Sequence, residues 1–114
     1  MTDRYSVQVL QNCIDLQNRK GADYQADISG IKQADYYPHG ITTIYDIMHA
    51  KMLRLKSVMS KMEHGKDPNF ESASDSAMDL INYASFFVAY LEGRVDGQHK
   101  GNDCFNRPTG ASDV

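Results

Sequence analysis

Three acidic residues in the second half of the chain follow a regular four-residue spacing. Glu71, Asp75 and Asp79 stand at positions i, i+4 and i+8, and Asn82 continues the row one turn later. On an α-helix this spacing forms one stripe, where like charges repel by roughly a few tenths of a kcal/mol per pair. A divalent cation such as Mg²⁺ or Mn²⁺ would offset the repulsion, because hard cations favour several carboxylate oxygens at one point. The stripe is a candidate metal site with Glu71, Asp75 and Asp79 as ligands.

A basic segment earlier in the chain offers a second explanation for the stripe. The segment between residues 51 and 61 carries four basic side chains: Lys51, Arg54, Lys56 and Lys61. If the basic and acidic helices pair about residues 63–69, Arg54 lies near Asp79 and Lys51 lies near Asn82. A ladder of interhelical salt bridges would then stabilise the carboxylates without any ligand. Alternatively, Lys51 and Arg54 would clamp the phosphate oxygens of a ligand.

The segment K-G-A-D-Y at residues 20–24 combines a cation, an anion and an aromatic ring. Gly21 is predicted to end the first helix, so that Lys20, Asp23 and Tyr24 lie in the loop that follows. Such a set can hold a phosphate and stack a nucleobase, with Tyr24 or a tyrosine of the 36–37 pair as the stacking ring. An ordinary polar loop after a helix is the alternative.

Hydrophobic periodicity predicts three long helices that would position these residues. The first covers about residues 3–20, the second runs from Ile41 to a stop at Gly65 and Pro68, and the third covers about 69–93. The short second connection predicts an antiparallel hairpin. The second helix carries a seam with alternating spacings of four and three residues, as in coiled coils: Ile41, Tyr45, Met48, Met52, Leu55, Met59 and Met62.

The predicted fold class is therefore all-α, with one helical domain over residues 1–93. The third helix is apolar nearly all round in its C-terminal half, which is typical of a helix buried by neighbours or by a partner subunit. We expect a bundle completed by oligomerisation, as a homodimer or homotetramer. Residues 94–114 carry four Gly or Pro and few apolar side chains, which predicts a polar, loosely packed C-terminal tail.

Composition excludes several classes of protein. The net charge of −3 over 114 residues argues against a partner that is duplex nucleic acid. No apolar run approaches the ~18 residues of a membrane span, and the start does not resemble a signal peptide. Cys13 and Cys104 belong to no metal-binding or redox motif, which favours free thiols in a reducing compartment. These features predict a cytoplasmic protein.

The order of three segments resembles a known family: K-G-A-D-Y at 20–24, K-M-L-R-L at 51–55 and D-S-A-M-D-L-I-N-Y-A at 75–84. It looks like the nucleotide-modification-associated domain found largely in phage genomes, over about residues 7–92. That domain is similar to the MazG-like all-α nucleotide pyrophosphohydrolases. A phage origin would place the protein in the host cytoplasm.

The resemblance implies a Mg²⁺-dependent enzyme that cleaves nucleoside triphosphates to monophosphate and pyrophosphate. Asp79 matches the final acid of the family's ExxD motif, and Asp75 lies one turn earlier, so both would be catalytic. The preceding helix departs from the family's EExxE motif, because Lys51 and Arg54 stand where its acids are expected. Asp46 and His49 are the further possible ligands there.

Three functions follow from these observations. The first is Mg²⁺-dependent nucleotide pyrophosphohydrolysis, with Asp75, Asp79 and Glu71 holding the metal. The second is binding or sequestering of a nucleotide without cleavage, in which Lys51 and Arg54 hold the phosphates. The third is a helical interaction protein whose ion pairs are only structural.

Overall fold

The computed structural model describes residues 4–25, 27–65 and 70–109, and for Glu71 the backbone alone. Three α-helices and no β-strand occur in these ranges, which confirms the all-α class. They are α1 (Tyr5–Tyr24), α2 (Ile41–Glu63) and α3 (Phe70–Leu91), and two short 3-10 turns, Asp27–Ser29 and Gln33–Tyr36, join α1 to α2. None of the described helices is apolar over enough of its length to cross a membrane.

The first helix is longer than the sequence predicts. It continues through Gly21 to Tyr24, so K-G-A-D-Y forms its last turn and is not a loop. A glycine inside a helix costs only about 1 kcal/mol relative to alanine. The ring of Tyr24 packs on Tyr36, with ring centroids 5.3 Å apart, and the Tyr36 hydroxyl donates to the Tyr24 carbonyl. These contacts offset the cost and hold the last turn.

The predicted ends of α2 and α3 agree with the structure to within two residues. Gly65 follows α2 with a positive φ of 65°, and Gly93 follows α3 with a φ of 72°. After α3, the Gly93 N–H donates to the Tyr90 carbonyl and the Arg94 N–H donates to the Ala89 carbonyl. This pattern is a Schellman motif, for which glycine is the favoured residue because it lacks a Cβ.

The helices α2 and α3 form the predicted antiparallel hairpin, and α1 packs against α3. The principal core lies where α2 begins and α3 ends, at the end of the hairpin opposite the connection between the two helices. Tyr90 and Ile44 are fully buried there, and the Tyr90 ring meets Tyr37 edge to face at 6.1 Å. Ile41 and Val95 complete this cluster. The core thus joins α2 and α3 to the segments that precede and follow them.

The C-terminal segment differs from the loosely packed tail that we expected. Over its described part, residues 94–109, it folds back across the start of α2. The Ile41 N–H donates to the Cys104 carbonyl at 2.9 Å. The Asn106 amide donates to the carbonyls of Tyr37 and Pro38, and the Tyr90 hydroxyl donates to Asn106. These specific hydrogen bonds fix a segment that a polar composition predicted to be loose.

The coiled-coil-like seam of α2 is divided between two environments. Ile41 is buried, and every second member after it, Met48, Leu55 and Met62, is half-buried. The other three, Tyr45, Met52 and Met59, are 60%, 52% and 47% exposed. The reason is that α3 covers only one side of the seam.

The molecule is elongated. It measures 62 × 34 × 33 Å and has a radius of gyration of 17.3 Å, against about 13 Å for a compact chain of this length.

Candidate ligand-binding pocket

A pocket of about 420 Å³ lies between the three helices and the 3-10 turn Gln33–Tyr36. Its size falls within the ordinary range of small-molecule sites, roughly 300–1,000 Å³. Helical spacing explains how α1 lines it, because positions i, i+3, i+4 and i+7 share one face. On α1 these are Gln17, Lys20, Gly21 and Tyr24.

The third helix lines the pocket with the same spacing. Asp79, Asn82, Tyr83 and Phe86 are its positions i, i+3, i+4 and i+7. The second helix adds Ile47 and Lys51, which are four residues apart. Charged and amide side chains therefore line the pocket along α1 and α3. Its aromatic part includes Tyr36, the last residue of the 3-10 turn, and Tyr37, which follows the turn.

One carboxylate and two ammonium groups form the charged part. The Asp79 side chain is only 16% exposed, and each of its oxygens contacts a different lysine. Lys20 Nζ lies 3.3 Å from Oδ1, and Lys51 Nζ lies 3.2 Å from Oδ2. Lys51 Nζ also lies 5.9 Å from the centroid of the Tyr83 ring. The arrangement concentrates two positive charges at one place on the pocket lining.

An amide pair adjoins this charged cluster. Gln17 Nε2 donates to Asn82 Oδ1 at 3.1 Å and to Ser85 Oγ at 2.9 Å. Asn82 is 7% exposed, and its own amide nitrogen donates to no residue in the described ranges. Since Asn82 lines the pocket, that donor is available to an acceptor bound there.

Burial changes two tyrosines in the aromatic part of the pocket. It is the main cause that raises the pKa of Tyr83 to about 12, with smaller contributions from Tyr37, Tyr24 and Asp79. Burial also raises the pKa of Tyr37, and a hydrogen bond from Gln33 opposes this increase. The hydroxyls of both residues can donate hydrogen bonds to a ligand, and their rings offer flat surfaces for another aromatic ring.

The structure brings together seven of the residues that the sequence singled out. All seven line the pocket: Lys20, Tyr24, Tyr36, Tyr37, Lys51, Asp79 and Asn82. Lys51 and Asp79 are 28 positions apart in the sequence, and Lys20 and Asp79 are 59 positions apart, so the fold brings distant residues together. It joins the K-G-A-D-Y segment to the acidic stripe, two features that the sequence alone does not connect.

Three other predicted residues lie outside the pocket lining. Asp23, Arg54 and Asp75 are exposed, and none of them lines the pocket. Asp23 lies on α1 three positions after Lys20, but Tyr24 takes the pocket-facing place in that turn. The side chain of Glu71 lies outside the described part of the structure.

The predicted alignment of α2 with α3 is wrong. The residue of α2 that faces Asp79 lies three positions earlier in the sequence than predicted, slightly less than one helical turn. Lys51, not Arg54, pairs with Asp79, and no described residue pairs with Arg54. The connection between the helices is too long to fix which turns face each other. The interhelical ladder is therefore reduced, in the described residues, to Lys51 and Asp79, with Lys20 of α1 as a third member.

The pocket lining offers Mg²⁺ a limited set of ligands. Among the described residues, no three His, Cys, Asp or Glu side chains converge. Asp79 is the carboxylate on the lining, and both its oxygens already contact ammonium groups. Hard cations take several oxygen ligands. Of the three predicted metal ligands, the described lining therefore contains Asp79 alone.

Several residues of the pocket lining were not singled out from the sequence, among them Gln17, Gln33, Tyr83 and Phe86. For Gln17 a signal existed, since it is the one polar member of an otherwise apolar stripe on α1. A polar residue at a core-facing position needs a partner, and here the partners are Asn82 and Ser85. Tyr83 and Phe86 were read as part of the apolar half of α3, and nothing in their spacing distinguished them.

The fold and this lining define the chain as an all-α protein with a pocket of small-molecule size, which is lined by two lysines and several tyrosines. Comparison of the chain with models of protein families, with curated proteins and with solved structures gave no match.

Proposed function

We propose that the chain binds a nucleotide, or a nucleotide-derived small molecule, in the pocket between the three helices. The observation that carries the proposal is the approach of Lys20 and Lys51 to one point beside a group of tyrosines. Ammonium groups bind phosphate oxygens through charge-assisted hydrogen bonds. Aromatic rings stack on nucleobases, and amides such as that of Asn82 hydrogen-bond their polar edges.

A nucleotide should stabilise the protein against heat. At concentrations about 100-fold above Kd, a ligand adds about 2.7 kcal/mol to the free energy of unfolding, so we expect the melting temperature to rise by roughly 10 °C. The measurement is a thermal-shift screen of common ribo- and deoxynucleotides. Nucleosides without phosphate and inorganic phosphate alone serve as controls and should shift melting less. A screen in which no nucleotide shifts melting would leave the Lys20–Asp79–Lys51 cluster with a purely structural role.

Mg²⁺-dependent hydrolysis of nucleoside triphosphates is the second candidate function, and it follows from the sequence resemblance. The observation in its favour is the place of Asp79, which matches the final acid of the family motif and lies partly buried in the pocket. Binding ranks first because the two lysines and the tyrosines that it requires all line the described pocket. Pyrophosphate released with Mg²⁺ or Mn²⁺, and lost in Asp79→Asn, would place hydrolysis first instead.

We also propose that the protein acts as a homodimer or homotetramer in the cytoplasm, or in the host cytoplasm if it is phage-encoded. The elongated shape and the exposed half of the α2 seam support assembly, because a second copy would cover apolar surface that α3 leaves open. The occupant that we propose for Tyr45, Met52 and Met59 is the same surface of another protomer, related by a two-fold axis.

Light scattering at micromolar concentration should show at least a dimer. Met52→Glu places a charge in the proposed interface and should shift the protein towards the monomer, because an unpaired buried carboxylate is costly. Ser57→Glu adds the same charge to an exposed position on another side of α2 and should leave the assembly intact. A wild-type monomer, or dissociation by both substitutions alike, would contradict the proposed interface.

A further inference from the structure

The formal charge of the pocket lining is small. Lys20 and Lys51 contribute two positive charges and Asp79 contributes one negative charge. The other described residues of the lining are amides, tyrosines, glycine, isoleucine and phenylalanine, which carry no charge at neutral pH. The lining therefore has a net charge of about +1 before a ligand binds, with both lysines neutralised in part by the same carboxylate.

We infer that the ligand is a nucleotide with a single phosphate group, either a 5′-monophosphate or a cyclic phosphodiester. This inference rests on the proposed function and narrows it. One phosphate brings one or two negative charges, which the lining can largely balance. A triphosphate brings about four negative charges, and the excess would remain unpaired in a partly enclosed site beside the Asp79 carboxylate, where it is costly.

The arrangement of donors also suits one phosphate. Lys20 and Lys51 both direct their ammonium groups at Asp79, so their donors converge on one small region instead of following a chain of phosphates. A phosphate bound there takes hydrogen bonds from both lysines and competes with the Asp79 oxygens for them.

Calorimetric titration of the wild-type protein tests the inference directly. For each base, the probes are the nucleoside, the 5′-mono-, di- and triphosphate and the 3′,5′-cyclic monophosphate, in EDTA so that no metal masks phosphate charge. We expect one of the single-phosphate forms to bind at least about tenfold more tightly than the nucleoside, which corresponds to about one charge-assisted hydrogen bond. The triphosphate should bind no more tightly than that form.

The outcomes separate this inference from the proposed function. Affinity that rises with every added phosphate would overturn the single-phosphate inference and leave nucleotide binding in place. The absence of binding by every probe would overturn both. The relative affinity of the 5′-monophosphate and the cyclic form distinguishes the two sources of a single phosphate.

A charge substitution gives an independent test in the same assay. Asp79→Asn raises the net charge of the lining to about +2, so affinity for di- and triphosphates should rise by about tenfold more than affinity for the monophosphate. Asp15→Asn makes the same formal change at an exposed position of α1 outside the lining and should alter no preference. Equal effects of the two substitutions would contradict the inference. The wild-type titration decides the question by itself if Asp79→Asn does not fold.

Discussion

Replacing Lys51 with alanine is expected to weaken nucleotide binding by roughly 10- to 100-fold. Lys51 Nζ lies 3.2 Å from Asp79 and is placed to donate to a phosphate bound beside it. A hydrogen bond to a charged group contributes about 1.5–3 kcal/mol, and about 1.4 kcal/mol corresponds to a tenfold change in Kd. The protein should still fold, because Lys20 continues to pair with Asp79. Calorimetric titration with the best nucleotide measures the effect.

The matched control for Lys51→Ala is Lys56→Ala. Lys56 lies on the same helix, is exposed and does not line the pocket. Lys56→Ala removes the same charge from α2, so any loss of affinity that is common to both substitutions reflects the overall charge of the protein. Lys51→Arg should retain part of the affinity. Equal affinities of Lys51→Ala and Lys56→Ala would show that the nucleotide does not contact the cluster.

Gly40→Ala should produce the largest loss of stability among single substitutions at glycine, about 3 kcal/mol or more. Gly40 precedes α2 with φ 65° and ψ −135°, a conformation that other residues adopt only with strain. An added Cβ would overlap the Cys104 carbonyl oxygen and lie 3.2 Å from Phe105 Cα. Both contacts are with backbone, so the C-terminal segment must move away and lose its hydrogen bond to Ile41. The melting temperature in a thermal-unfolding experiment should fall by about 10 °C or more.

Gly65→Ala separates the backbone effect from the contact. Gly65 has the same φ of 65°, and no atom of the described residues lies within 4 Å of the position of its Cβ. This control should cost about 1 kcal/mol, because only the positive φ opposes the alanine. The difference between the two substitutions measures the packing of residues 104–105 against the start of α2. If both variants melt at the same temperature, the C-terminal segment does not pack there in solution.

The sequence predicts the helices better than their mutual arrangement. The ends of α2 and α3 follow from Gly65 and Gly93, which favour the positive φ that closes a helix. The end of α1 could not be predicted in this way, because Gly21 has ordinary helical geometry and Tyr24 is held by contacts with Tyr36. A glycine marks a possible end, and tertiary packing decides whether the helix uses it.

About half of the predicted site residues converge in one pocket, and the rest depended on information absent from the sequence. Lys20, Lys51 and Asp79 were recognised because charge is visible in a sequence. The pairing of Lys51 with Asp79, in place of Arg54, depends on how the hairpin connection closes, which composition does not fix. The order of the C-terminal segment depends on single contacts such as that between Asn106 and Tyr90, and a polar composition gives no sign of them.

The most direct test of nucleotide binding is a crystal structure of the protein with a nucleoside monophosphate. We expect the phosphate to lie about 3 Å from Nζ of both Lys20 and Lys51, with the base beside Tyr24 or Tyr36. The Lys20–Asp79 and Lys51–Asp79 distances should lengthen from 3.3 and 3.2 Å as the phosphate competes for the lysines. A nucleotide bound elsewhere on the protein, with both ion pairs unchanged and the pocket free of ligand, would contradict the proposed function.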